Sequence, residues 1–252
     1  MTQFTRNARA AAEALRALFD PTPLQLNDHL SSRYGAEIWL KREDLTPVRS
    51  YKLRGAFNAM RKAIAAGHRA FVCASAGNHA QGVAYACRHF GVSGTIFMPV
   101  TTPQQKIDKT RTFGGDSVEI RLTGDYFDRT LAAAQAYAAE AGGHFLSPFD
   151  DEDVIEGQAS VAVEILDQLE RAPDLVVVPV GGGGLSSGMT RYFRAAAPKT
   201  DFFYVEPLGG ASLAAALNDG APATLRRVNT FVDGAAVARI GTLPFEILRD
   251  VA

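Results

Sequence analysis

Cysteine is scarce in this chain of 252 residues. It holds two, Cys73 and Cys87, each set singly in an apolar stretch, so neither a disulfide framework nor a paired zinc-ligand spacing is present. Excess charge of either sign is also missing. Against 26 Lys and Arg stand 27 Asp and Glu, a formal net charge of -1, and without a basic surplus there is no electrostatic footprint for nucleic acid. No run of roughly 18 uninterrupted apolar residues occurs, so nothing reads as a membrane span. The segment Met1 to Asp20 is alanine-rich and helical in pattern, but Arg6, Arg9, Glu13 and Arg16 interrupt it and deny a secretory signal its apolar core. The expected compartment is the cytoplasm. Internal repeats and low-complexity linkers are absent as well.

What is present is ordinary globular composition, 47% hydrophobic and 21% charged, in a length that allows one large domain or two modest ones. Apolar runs at Ile38 to Lys41, Ala70 to Ala74, Gly94 to Met98, Ser117 to Arg121, His144 to Leu146, Leu175 to Val180 and Phe202 to Val205 predict strands. Helical spacing fills the stretches between most of them: Lys52 to Ala66, Asn78 to Phe90, Pro103 to Phe113, Asp125 to Ala141, Asp153 to Arg171 and Leu185 to Ala196. Short strands separated by helices imply parallel pairing with helices on the faces. Thr102-Pro103-Gln104-Gln105 offers a capping hydroxyl, a proline at the first helical position and a glutamine at the third. The acids Asp150 to Asp153 precede a helix, where carboxylates favour the positive end more simply than they make a metal site. Thr242-Leu243-Pro244 resembles a helix start whose stripe Phe245, Leu248 and Val251 runs to Ala252 without a stop signal, so the expectation is a C-terminally truncated chain.

Three stretches carry chemistry. Gly181-Gly182-Gly183-Gly184-Leu185 follows a strand and opens a helix. Four glycines expose backbone N–H groups that, with the positive helix end, form a receptor for a phosphate. The pattern departs from G-x-G-x-x-G, because Ser186 and Ser187 stand where the third glycine belongs, and no Gly-Lys-Ser/Thr follows; a single phosphomonoester fits better than a dinucleotide or nucleoside triphosphate. Ser50-Tyr51-Lys52-Leu53-Arg54-Gly55 sets a lysine at a helix start, where its charge is disfavoured. Partial burial there lowers an amine's pKa and frees it for Schiff-base chemistry, although an exposed lysine is the simpler account of Lys52 alone. Ser75-Ala76-Gly77-Asn78-His79 opens another helix. Ser75 and Asn78 are good N-cap types, and the exposed N–H groups suit a carboxylate, with His79 either a general base or a satisfied core histidine. Taken together, a phosphate site, a carboxylate site and a Schiff-base lysine point to pyridoxal phosphate with an amino-acid substrate.

At these residues the sequence resembles the fold-type II pyridoxal-phosphate enzymes, and among them the biosynthetic threonine dehydratases. The matching stretches are Leu40-Lys41-Arg42-Glu43-Asp44-Leu45, Ser50 to Gly55, Ala74 to Gly82, Pro179 to Leu185 and Asp233-Gly234-Ala235-Ala236-Val237. The resemblance implies the tryptophan synthase β-like architecture, two parallel-sheet α/β domains with the active site between them. It places the smaller domain at 47–147 and the larger, C-terminally incomplete one at 1–46 and 148–252. It implies Lys52 as the Schiff-base lysine, Tyr51 beside the cofactor ring, Asn78 on the cofactor's phenolic oxygen, and Gly181, Gly182, Gly183, Gly184 and Leu185 around its phosphate. Ser75, Gly77, Asn78 and His79 would surround the substrate carboxylate. The implied reaction is β-elimination from L-threonine to 2-oxobutanoate and ammonia, which feeds isoleucine synthesis, in a homodimer or homotetramer.

Alternatives within the resemblance are L-serine dehydratase, a serine racemase-like enzyme, and a non-catalytic truncated fragment or paralogue. Racemases carry a second serine where this chain has Ala76, and synthases a Lys-Asp-Arg where it has Lys52-Leu53-Arg54. The family's usual Ala-Gly-Gln-Gly-Thr is replaced by Glu156-Gly157-Gln158-Ala159-Ser160, in what is expected to be a loop near the active site. Glu206 matches a cation ligand of some relatives, but Ser212 stands where an aspartate would complete that site, and no metal is expected.

Overall fold

Apolar segments too short for helices, alternating with amphipathic ones, can pair only through crossovers, and the computed structural model, which describes residues 2–252, has that arrangement. The chain begins with α1 (Gln3–Ala14), β1 (Leu24–Leu26), α2 (Asp28–Tyr34) and β2 (Trp39–Lys41). It continues through α3 (Lys52–Ala65), β3 (Ala70–Ala74), α4 (Asn78–Phe90), β4 (Ser93–Met98), α5 (Gln104–Gly114), β5 (Val118–Leu122), α6 (Phe127–Ala141) and β6 (His144–Phe145). The remainder is α7 (Glu152–Gln168), β7 (Leu175–Pro179), α8 (Gly184–Ala196), β8 (Asp201–Val205), α9 (Ser212–Asp219) and α10 (Thr242–Leu248).

Strands β5, β4, β3 and β6 form one parallel sheet in that spatial order, β7 pairs β8 in a second, and β1 with β2 forms a small antiparallel pair. Side chains alternate across a strand, and β3 uses both faces. Phe71 and Cys73 join a core with Ala56, Met60, Val83 and Cys87 of α3 and α4, while Val72 and Ala74 join Ala134 and Ala138 of α6. A strand covered on both sides reads as a continuous apolar run. On β7 only one face is covered: Val176 and Val178 pack with α1, α7 and α8, whereas Val177 is 62% exposed and Phe203 of β8 63% exposed.

Every strand and helix expected between Ala70 and Val205 is found, with ends displaced by no more than a few residues. Three elements had no signal. β1 is too short to show a period; α2 buries none of its residues and is held by Asn27, whose Oδ1 accepts the Leu30 N–H at 2.9 Å; α9 lies in a stretch for which no element was expected. Thr102 does not cap α5. Pro103 occupies the cap position without a side-chain bond, and the Thr102 hydroxyl is buried without a partner. The final helix closes at Leu248 instead of running to Ala252. Among the described residues no helix is long and apolar enough to cross a membrane.

Helix α7 is the centre of the packing because glycines let its neighbours touch its backbone. A Cβ on Gly157 would lie 2.5 Å from the Arg54 carbonyl oxygen and 2.7 Å from Gly55 Cα, and one on Gly188 of α8 would lie 2.5 Å from the Ile155 carbonyl oxygen. Beside this contact lies a buried ion cluster. Arg54, with no exposed surface, donates to Glu43 at 2.7 and 2.8 Å, to Glu164 at 2.8 and 2.9 Å, to Ser160 Oγ at 3.0 Å and to Thr22 Oγ1 at 3.2 Å. Lys41 donates to Glu164 at 2.7 Å, and Arg16 pairs with the same carboxylate. Burial alone would raise the Glu164 pKa, but hydrogen bonds from Arg54 and the charges of Arg54 and Lys41 pull it down to about 2.

Two outcomes follow for stability. Gly157→Ala must part α3 from α7, and such overpacking costs about 1 to 3 kcal/mol, read as a lowered urea midpoint. Glu164 contributes stability that is complete above pH 4.5 and disappears as pH falls toward about 2. Glu164→Gln therefore lowers the urea midpoint at neutral pH, and its difference from the unaltered chain narrows across that acid window.

Candidate active site

The turn before α3 determines where Lys52 begins. Thr46 Oγ1 accepts the Ser50 N–H at 2.8 Å and donates to the Ser50 carbonyl at 2.9 Å, closing a loop in which Arg49 takes the left-handed conformation, φ 58°. A non-glycine residue is strained there, and such strain gathers where neighbours over-determine the backbone. Ser50 Oγ then accepts the N–H of Lys52, the first residue of α3, at 3.2 Å. The Lys52 amine donates to the Pro148 carbonyl at 2.8 Å between the rings of Tyr51 and Phe149, 5.5 and 5.7 Å away. Burial lowers its pKa to about 8 and raises the Tyr51 phenol to about 12. About a tenth of Lys52 is thus a neutral amine at pH 7, and Tyr51 serves as an uncharged wall.

Two helix N-termini face this region. Gly181 to Gly184 lead from β7 into α8, with Gly183 at φ 90°. One side of the loop is packed: a Cβ on Gly182 would collide with the Phe149 ring, one on Gly183 would lie 2.6 Å from Pro244, and one on Gly181 3.1 Å from Ala235. Among the described residues the backbone N–H groups of Gly181 through Ser186 meet no acceptor in the protein. Leu185 contributes its N–H while its side chain joins the core. At α4, Gly77 is the cap and no side chain caps the helix; Ser75 Oγ takes only the Gly77 N–H, at 3.2 Å, so neither Ser75 nor Asn78 acts as the N-cap. The N–H groups of Ala76, Asn78, His79 and Ala80 likewise meet no acceptor, and Asn78 is exposed.

His79 has the setting of a core histidine. It is 3% exposed, its Nε2 lies 3.2 Å from the Leu146 carbonyl and must donate to it, and burial together with the charge of Lys52 lowers its pKa to about 3. The segment from Glu156 to Ser160 is not a loop but the interior of α7. Glu156 is neutralised there by Lys62 at 2.6 Å and Asn7 at 2.5 Å, and Ser160 accepts from Arg54, so no unpaired charge enters the cleft. The acidic run is used up locally as well: Asp151 caps α7, Glu152 pairs with Arg191, and Asp150 accepts the Thr242 and Leu243 N–H groups. Glu206 caps α9 through Leu213 and Ala214 at 2.7 and 2.9 Å.

The segment Leu146 to Asp150, whose middle residues Ser147 to Phe149 carry no expectation from sequence, joins these parts. Leu146 holds His79, the Pro148 carbonyl takes the Lys52 amine, Phe149 lies against the glycine loop, and Asp150 holds the start of α10. Lys52, the α4 terminus and the α8 terminus are thereby tied to one short piece of chain.

An amine of depressed pKa, flanked by two sets of unpaired N–H donors on a parallel α/β scaffold, is the arrangement of an enzyme that captures a phosphate-bearing carbonyl compound. The family model for pyridoxal-phosphate dependent enzymes matches residues 15–252. The chain belongs to that family, with the fold-type II architecture. It is 51% identical over 242 residues to the biosynthetic L-threonine dehydratase IlvA of Mycobacterium leprae, covering 94% of this chain and 56% of that protein. It is similar to the processed threonine deaminase isoform 2 of Solanum lycopersicum, with a TM-score of 0.91, 39% identity and coverage of 99% and 67%. It is also similar to maize serine racemase, with a TM-score of 0.91, 26% identity and coverage of 98% and 74%. The chain spans about half the length of the curated relatives it matches. The family cofactor fits the residues present, since its phosphate would find buried, unpartnered donors at the glycine loop and its aldehyde an amine.

Burying Lys52 has a consequence for stability. Its pKa of about 8 in the fold against 10.5 in the unfolded chain means that the charged form is penalised by folding below pH 8 and that the penalty fades as pH rises to 10.5. Lys52→Met accordingly raises the urea midpoint at pH 7, by a margin that shrinks between pH 8 and 10.5.

Proposed function

We propose that this chain acts with pyridoxal phosphate to convert L-threonine to 2-oxobutanoate and ammonia. The observation that carries the reading is the Lys52 amine, held at a pKa of about 8 between the unpaired N–H donors of α8 and α4. The cofactor's phosphate is assigned to the N–H groups of Gly181 through Ser186, where the α8 dipole adds to the attraction. The substrate carboxylate is assigned to the Ser75–His79 turn, through the N–H groups of Ala76, Asn78 and His79. Tyr51 and Phe149 wall the cleft, and Asn78, open to it, is the candidate partner for the cofactor's phenolic oxygen. When bound, pyridoxal phosphate supplies an aldehyde that takes up the substrate amine and a ring that accepts the electron pair left at Cα. Neutral Lys52 Nζ removes the Cα proton, and the same ammonium gives a proton to the departing β-hydroxyl. Water then replaces nitrogen at the α-carbon, so that threonine yields keto acid and ammonia with no other reactant. His79, neutral with its Nε2 proton fixed on Leu146, holds the end of β6 in place and transfers no proton.

Residues 47–147, with the four-stranded sheet, are assigned to a smaller domain, and 1–46 with 148–252 to the larger one, a division supported by hydrophobic clusters that follow it except at Val154 and Tyr51. Two free cysteines suit a cytoplasmic enzyme, and a homo-oligomer is proposed on family likeness. L-Serine is the competing substrate, since one methyl group in a pocket is worth only about 1 to 3 kcal/mol. Racemisation is disfavoured because Ala76 offers no proton donor at the turn.

The test is chemical. After incubation with pyridoxal phosphate and borohydride, peptide mapping finds the fixed cofactor on Lys52, and L-threonine gives 2-oxobutanoate in the unreduced protein. Lys52→Ala abolishes both. Label on another lysine, or keto acid formed by that variant, overturns the assignment.

A further inference from the structure

Lys52 and Arg54 are the first and third residues of α3. At about 100° per residue their side chains leave the helix on nearly opposite sides. Lys52 reaches Pro148 and the cleft, while Arg54 enters the ion cluster behind the helix. We propose that Arg54 is a positioning residue for Lys52: its guanidinium fork fixes the rotation and axial position of the first turn of α3, and so where the Lys52 amine enters the cleft. The proposal rests on Lys52 being the cofactor lysine.

Two observations support it. Gly157 of α7 lets the Arg54 carbonyl and Gly55 Cα approach closely, the Val154 and Gln158 side chains cover Gly55, and Asn58 and Lys62 bond to Asp153 and Glu156 farther along α3, so the first turn, where Lys52 stands, needs its own directional tie to α7. Arg54 meets that need, since its planar donors reach the Thr22 segment, the turn at Glu43, and Ser160 and Glu164 of α7 in fixed directions. Stability alone does not call for it. Buried ion clusters suffer heavy desolvation, and apolar replacements of similar volume are often neutral or stabilising. A directional pin is what apolar side chains could not supply.

Two variants test this. Arg54→Met combined with Glu43→Gln and Glu164→Gln removes the guanidinium and both of its carboxylates together; Arg16 and Lys41 lose the charge of Glu164, and Lys41 keeps the Thr22 carbonyl and Gln168 as acceptors. Arg54→Lys keeps a charge without the fork, and decides the matter if the triple variant does not fold. The readouts are the pH dependence of Lys52 acetylation by acetic anhydride in cofactor-free protein, pyridoxal phosphate fixed to Lys52 by borohydride, and the urea midpoint. The apparent pKa of Lys52 is expected to rise from about 8 toward 10.5, with fixed cofactor down about tenfold or more, as small displacements at a reacting group produce, and Arg54→Lys intermediate. A folded variant whose Lys52 pKa and labelling equal those of the unaltered chain overturns the proposal, as does a labelling loss without any pKa change. If the unaltered chain itself takes no label at Lys52, the proposed function fails, and the acetylation profile still decides the role of Arg54.

Discussion

Backbone contact between helices is possible only where side chains are missing, and the structure depends on one helix, α7, that is touched in this way from two sides. Gly157 admits α3, and Gly188 of α8 admits the carbonyl of Ile155. With α3 and α8 held against the same helix, their starting residues, Lys52 and Gly184, both come to Phe149. Gly82 of α4 extends the arrangement, since a Cβ there would lie 3.1 Å from the Leu53 nitrogen. The three helices whose first turns form the candidate site are thus located by the absence of side chains at a few positions, and the ion cluster around Arg54 lies beside what the glycines bring close.

A second constraint is the short path from β6 to α7. Over five residues, Leu146 to Asp150, it ties His79 to Lys52, places Phe149 against the glycine loop and fastens α10. Local bonds stiffen it: the Ser147 hydroxyl accepts the Asp150 N–H at 2.9 Å, and Asp151 accepts that of Val154 at 2.9 Å. A rigid connector here couples the four-stranded sheet to the glycine loop, so the spacing of Lys52 and that loop is set by covalent chain as well as by packing.

Much of this was legible in the sequence because it is encoded locally. The β/α alternation shows in the change of apolar period, the glycine loop in four adjacent residues, and Lys52 in its conflict with a helix start. What escaped notice is encoded at a distance. Arg54 finds its partners at Thr22, Glu43, Ser160 and Glu164, and no spacing rule joins those positions. Glu156 reads as an intruding charge until Lys62 and Asn7 are seen beside it. The role of Phe149 depends on which face of a loop more than thirty residues later meets it. His79 was open to two readings, a general base or a core histidine, and its burial against the Leu146 carbonyl supports the second. Helix α2, bonded at its cap and nowhere buried, had no apolar stripe to read.

The pair β7 and β8 carries a different kind of consequence. Parallel strands are ordinarily sheltered on both faces, yet here Val177, Phe203 and Val205 lie on an uncovered side of a two-stranded sheet, with Leu208 and Phe231 also exposed. Unpaired strand edges beside bare aliphatic and aromatic surface are adhesive. In concentrated solution, self-association through this face rises with protein concentration and with salts that strengthen apolar burial.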